Sequence, residues 1–300
     1  MDDNTLKRFN ADFLIWNEQL KTNPIFKINW LNFFSNKLAV CNLFMYMLIS
    51  EEGKNIWNKL KNQPIQKIEA QYIEDCFNGG ITKLFVEPNS EDDYYECYGY
   101  DFTCFYPSML ASEKFHIPIK EGKEIYYDNI PTLPLPIGHY YCKITSTNPN
   151  FQKIFAFSPK NCYTHYCLTK ALQYQNQFDV KIEMLTDRDK NAYIYNKKDL
   201  ITGNQLFYNH HTTLKKIKQI YPKNKLVKHL LSSLNGQLTA FNKKCVNVNE
   251  IGKCDVTEWE SQDLIMNEDL QGYYSLRHQT QLYKYRSFKG YILLSFVQHL

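Results

Sequence analysis

Between positions 4 and 60 the apolar residues return at three- and four-residue intervals, as in Leu6, Phe9, Phe13 and Trp16 and again in Trp30, Phe33, Phe34 and Leu38. That spacing places them on one helix face and predicts a helical N-terminal segment interrupted at Pro24. From Ile73 the texture changes to a Gly-Gly pair, an apolar run at 83–86, an acidic turn and alternating aromatics over 94–104, which predicts a β-hairpin. Pro131, Pro134 and Pro136 mark an extended loop, and a strand is expected at 138–145. Further strands are expected at 154–157 and 180–185, with a helix at 169–174 between them. Residues 204–241 read as two helices joined at Tyr221-Pro222, because proline suits the first turn of a helix and not its interior. Residues 242–275 are polar and turn-rich, and 283–300 is expected to form an amphipathic helix.

Composition narrows this picture little. A chain of 300 residues with 44% hydrophobic and 22% charged content can bury a core. The formal charge of +4 neither requires nor opposes a nucleic-acid partner. Only Arg8, Arg188, Arg277 and Arg286 break an otherwise all-lysine set of 35 basic residues, and Tyr (23) and Phe (19) are frequent, as an AT-rich coding sequence produces. Nine scattered cysteines without a secretory signal argue against a disulfide framework and for a reducing compartment. Cys162, His165 and Cys167 are the nearest approach to a metal cluster, but C-x-x-H-x-C fits no usual zinc spacing. No stretch reaches the roughly 20 apolar residues that span a bilayer, so no membrane partner is expected.

Three segments carry candidate chemistry. In 98–110, YGYDFTCFYPSML, a strand is expected to deliver Asp101 at its end, and Pro107-Ser108 to open a helix. A carboxylate beside a helix N-terminus suits a divalent metal together with the triphosphate it bridges. In 228–236, KHLLSSLNG, a helix puts Lys228, Ser232, Asn235 and Gly236 on one polar face, joined by Lys225, with Leu226, Leu230 and Leu234 opposite for packing. Lysine offers a point charge to phosphate oxygens, and glycine lets a base pair approach the backbone. Upstream, Phe77-Asn78-Gly79-Gly80 combines an aromatic that can stack with glycines that let backbone meet phosphates.

In this order the three segments resemble motifs of family B DNA polymerases. The first resembles the palm motif D-x-x-S-L-Y-P-S-I, keeping Asp101, Tyr106, Pro107 and Ser108 with Cys104 and Phe105 at the S-L positions. The second resembles the fingers motif K-x-x-x-N-S-x-Y-G, keeping Lys228, Ser233 and Gly236 but carrying Ser232 for Asn and Asn235 for Tyr. The third resembles the template-holding Y-x-G-G, with Phe77 for Tyr.

The resemblance implies an α+β fold: a right-hand palm of antiparallel sheet with helices, a helical-hairpin fingers subdomain and a helical N-terminal segment. The corresponding divisions are 1–75, a palm with insertion at 76–203, fingers at 204–240, and an insertion with a palm helix at 241–300. The implied function is template-directed nucleotidyl transfer from dNTP to a primer 3'-OH, in protein-primed replication of a viral or plasmid DNA, with two Mg2+ ions.

By the same resemblance Asp101 is a catalytic metal ligand and Tyr106 excludes ribonucleotides. Lys228, Lys225, Lys216, Ser232 and Asn235 meet the nucleotide, and Phe77, Gly79, Gly80 and Gly236 meet DNA. Lys218 and Lys223 read as ordinary exposed charges. The second metal carboxylate, Y-x-D-T-D-S in the family, has no counterpart: Asp187-Arg188-Asp189 precedes the fingers motif, Asp255 follows it too closely, and both read as solvated turns. The chain is therefore expected to be an incomplete part, completed by a C-terminal remainder or a second chain. Its partners would be template-primer DNA, dNTP and a terminal priming protein, in a mitochondrion or in viral or host compartments. The alternatives are a non-catalytic DNA-binding remnant or split-polymerase subunit, and an unrelated α/β protein.

Overall fold

The computed structural model describes residues 50–61, 65, 67–77, 104–220, 222, 228, 231, 234, 238, 241–255, 257–266 and 272–279. Its organising strand is β3 (Gly138–Ser146), whose first five residues are all buried. A strand buried on both faces must pair on both edges to satisfy its backbone. β3 does so with β4 (Cys162–Thr164) on one side and β6 (Ala192–Ile194) on the other, while its second half pairs with β5 (Val180–Met184). All these pairings are antiparallel, and β2 (Lys123–Ile125) extends the sheet beyond β6.

Between β5 and β6 the chain makes an excursion over 185–191, bridged by Tyr141, which donates its N–H to Asn191 O at 2.8 Å and accepts at its carbonyl from Leu185 N at 3.2 Å. The buried Asn191 closes the excursion. Its Oδ1 accepts from Tyr127 N and its Nδ2 donates to Tyr127 O, both at 2.8 Å, so one amide side chain replaces a missing strand rung. Asp187-Arg188-Asp189 is the exposed bend of this excursion, as expected of a solvated turn, with Arg188 lying 3.8 Å from the centre of the Tyr141 ring.

Helices cover both faces of β3. Tyr140, Cys142 and Ile144 face one core, closed by α4 (Pro149–Ile154) and α5 (His165–Gln173) around the stacked pair Phe151–Phe155. The second core gathers α1 (Glu51–Lys61), α2 (Lys67–Asp75), α3 (Phe105–Leu110) and α6 (Gly203–Ile220), and takes in Leu231, Leu234 and Leu238. A short pair, β1 (His116–Pro118) with β7 (Leu200–Thr202), leads into α6. That helix starts with a reciprocal cap: Thr202 Oγ1 accepts from Gln205 N, and Gln205 Oε1 accepts from Thr202 N.

The mixed helix and antiparallel sheet agree with the α+β expectation, as do the strands at β3 and β5, the proline-rich loop, and the break near Pro222 after α6 ends at Ile220. Two expectations are corrected. Residues 154–157 form no strand: Pro149–Ile154 is helical because Asn148 caps it, its side chain accepting from Asn150 N and Phe151 N. The helix expected at 169–174 likewise begins earlier, at His165, where Thr164 Oγ1 caps Cys167 N.

The region 242–275 is also more than turns. It contains most of a three-stranded antiparallel sheet in the order β8 (Lys243–Asn247), β10 (Gly272–His278), β9 (Trp259–Met266). β9 is largely exposed while β8 and β10 are mostly half-buried, so apolar alternation is weak. Cross-strand contacts hold them instead, such as Lys244 Nζ 4.1 Å from the Trp259 ring centre and Trp259 edge-on to His278 at 4.9 Å. The hairpin expected over 83–104 and the helix over 283–300 lie outside the described residues, apart from Cys104.

Three histidines are locked inside. Burial, aided by neighbouring histidines, pushes the pKa of His139, His165 and His210 down to about 3. Unfolded, each binds a proton near its ordinary pKa of about 6.5, so between these values the unfolded chain holds more protons and stability falls as pH drops. Chemical denaturation between pH 7 and pH 4 should show a loss approaching about 4 kcal/mol per pH unit at its steepest. His210→Gln should flatten that slope by about one third.

Candidate functional site

The described part of the 98–110 segment is a single helical turn and a half laid along α6. Cys104 precedes it in the left-handed conformation (φ 57°), and the first helical bond runs from Ser108 N to Cys104 O at 2.9 Å. The helix therefore starts at Phe105, two residues before the expected Pro107, which sits in the first turn where a missing N–H costs nothing. Pro107 and Leu110 are buried; Phe105 and Tyr106 stand outward, edge to face at 5.5 Å, with Tyr106 44% exposed.

A stripe on α6 fixes this turn. Asn204 Nδ2 donates to Ala111 O at 3.4 Å, His211 Nε2 lies 3.4 Å from Ser108 Oγ, and Lys218 Nζ lies 3.6 Å from Cys104 Sγ. The three α6 residues are spaced by seven, close to two helical turns, so they share one face. They meet 111, 108 and 104 in descending order, so α3 and α6 run antiparallel. Lys215 lies one turn from both His211 and Lys218, on the same side. Partial burial and then the Lys215 charge lower the His211 pKa, which keeps the imidazole neutral at neutral pH and leaves the lysines as the cations of this stripe.

Gly203 sets how closely the two helices approach. A Cβ there would lie 2.0 Å from Leu110 O, so only glycine lets α6 begin against the end of α3. Gly203 N donates to Phe115 O at 2.7 Å in the same contact.

The nominated residues divide as follows. Tyr106 is exposed on α3 beside the stripe. Lys216 is exposed on α6, but two residues before Lys218 is about 200° around the helix, which puts it on the side away from α3. Lys228 is helical and exposed, and Leu234 of the expected packing face is buried with Leu231 and Leu238. Phe77 is half-buried just after α2. Asp101, Gly79, Gly80, Lys225, Ser232, Asn235 and Gly236 lie outside the described residues, as do Leu226 and Leu230.

Reading the sequence alone overlooked His211 and took Lys218 for an ordinary exposed charge; it is half-buried beside Cys104 at the start of α3. The seven-residue spacing of Asn204, His211 and Lys218 was the available signal.

Among the described residues no group of three or more His, Cys, Asp or Glu side chains forms a metal site. Cys162, His165 and Cys167 are buried, and His165 Nδ1 accepts from Gly138 N at 3.4 Å. Two concavities lie away from α3. A groove of about 760 Å3 is lined by His116, Pro134, Ile137, Tyr195, Lys197 and Gln205. A cleft of about 440 Å3 is lined by Gln71, Tyr72, Asp75, Glu124 and Arg188. Neither contains a residue that the motifs nominate. No helix among the described residues is long and apolar enough to cross a membrane. No known protein family, curated protein or solved structure matches the chain.

Gly203→Ala should separate α6 from α3 and destabilise the protein by about 1–3 kcal/mol. A shift in the urea midpoint with an unchanged slope is the expected signature.

Proposed function

We propose that this chain is the palm and fingers portion of a family B DNA polymerase of the protein-primed branch, extending a primer 3'-OH from dNTP under template direction. The observation that carries the reading is the packing of the turn bearing Tyr106 and Ser108 against the helix that precedes Lys228, with Lys218 at the contact. The order of Phe77 to Gly80, Asp101 to Ser108 and Lys228 to Gly236 along the chain supports it.

On this reading Tyr106, outward on α3, packs against the sugar of the incoming nucleotide where a 2'-OH would lie. Lys218 and Lys215, with Lys228 on the following helix, neutralise triphosphate oxygens, and each charge-assisted contact is worth more than a neutral one. Ser108 and His211 hold α3 in register on α6. In such an enzyme bound Mg2+ ions would supply Lewis-acid activation of the primer hydroxyl and charge neutralisation at the leaving pyrophosphate, with Asp101 as the carboxylate that would help to hold them. The described residues do not assemble a site for them, and Asp101 is the single carboxylate that the motifs offer. No metal-dependent step is therefore assigned to them.

The full chain should bind primer-template DNA, and Lys218→Ala and Lys228→Ala should each weaken dNTP binding about tenfold. Lys216→Ala, on the other side of α6, serves as the surface-charge control. In any Mg2+-dependent primer extension, Asp101→Ala should abolish product and Tyr106→Val should raise ribonucleotide incorporation. Undiminished extension by Asp101→Ala sinks the reading. DNA binding that is insensitive to EDTA and to dNTP would instead identify a non-catalytic remnant.

A further inference from the structure

The end of α2 meets the start of β4 through two cysteines. Cys76 directly follows α2, its N–H donating to Tyr72 O at 3.1 Å, and its Sγ lies 3.3 Å from Cys162 Sγ. His139 Nδ1, on β3, lies 3.2 Å from Cys76 Sγ. Both cysteines are reduced and fully buried. Lys160 Nζ holds Asp75 Oδ1 at 2.9 Å and Ser158 Oγ reaches Asp75 O at 3.4 Å, so the residues just before each cysteine are already tied across the same contact.

We propose that Cys76 and Cys162 are a covalent modification site, closing to an intramolecular disulfide by exchange with a low-molecular-weight disulfide. The sulfurs need approach only from 3.3 Å to a bond length of about 2.05 Å. In the first step one cysteine attacks the reagent RSSR, forming Cys–S–SR and releasing RSH. In the second the other cysteine attacks the protein sulfur of that mixed disulfide and releases the second RSH. Two cysteine thiols are oxidised, RSSR is reduced to two RSH, and both thiol protons leave with the products.

Burial raises the Cys76 thiol well above its ordinary pKa, which keeps it protonated and slow while α2 is docked. Exchange therefore proceeds through local opening of the α2 end, and the product fastens the residue before Phe77 to the central sheet across a loop of 86 residues. The inference rests on the α2–β4 contact alone and stands apart from the polymerase reading.

The test is to incubate the reduced, natively folded full chain with glutathione disulfide and map peptides by mass spectrometry without reduction. The expected product joins the Cys76 and Cys162 peptides with the loss of two hydrogens, and it appears more slowly than the glutathione adduct on exposed Cys245. The linked protein should melt roughly 5–10 °C higher, and a reductant should reverse the shift. Cys162→Ser should abolish the link; if that variant does not fold, the reductant-reversible shift in the unaltered chain remains the readout. Adducts on Cys245 without a 76–162 link, a link to Cys142 or Cys167 instead, or stoichiometric zinc held by the thiols in the isolated protein would each overturn the proposal.

Discussion

The first five residues of strand β3 are covered by side chains on both faces, and a polypeptide can be buried in that way only if every peptide group along it finds a partner at the edges. That requirement recruits β4 on one side and β6 on the other, and makes β5 take over where β6 ends. The cores on either side follow from it. Residues of even number in β3 feed the aromatic cluster beneath α4 and α5, and His139 turns toward the helices of the other face. Gly138 belongs to the same constraint, since a Cβ there would lie 2.2 Å from Tyr193 O on the neighbouring strand.

The candidate site hangs on this frame through α6. That helix leaves the sheet region at β7, is capped by the Thr202–Gln205 exchange, and runs antiparallel to the turn that carries Tyr106. Its buried side (Leu206, Phe207, His210, Leu214 and Ile217) joins the core shared with α1 and α2, which leaves the adjacent stripe of Asn204, His211 and Lys218 for α3. The position of α3 is therefore set by how α6 rolls on the core, and the close contact at Gly203 sets its depth. One helix thus couples the packing of the N-terminal segments to the presentation of Tyr106.

Where a local rule dominates, the sequence was sufficient. The proline loop, the break before Pro222, the strand β3 and the turn at Asp187-Arg188-Asp189 follow from residues whose backbone preferences or apolar runs act over a few positions. Where the deciding interaction is a cap, the reading missed: Asn148 and Thr164 start helices in segments whose apolar spacing alone suggested a strand in one case and a later start in the other. The sheet β8–β10–β9 was hidden because β9 is mostly exposed and β8 and β10 are mostly half-buried, and cross-strand cation and aromatic contacts leave no period-two apolar signature.

By itself the sequence determined most elements that are stabilised locally, and it supplied the ordered motifs on which the polymerase proposal rests. Only the tertiary structure decided which lysines of α6 lie beside the turn that carries Tyr106, because adjacent side chains on a helix differ by about 100° in direction and the core selects which direction faces α3. It alone also brought Cys76 to Cys162 and His139 to Cys76, contacts between positions far apart in the chain that no local pattern encodes.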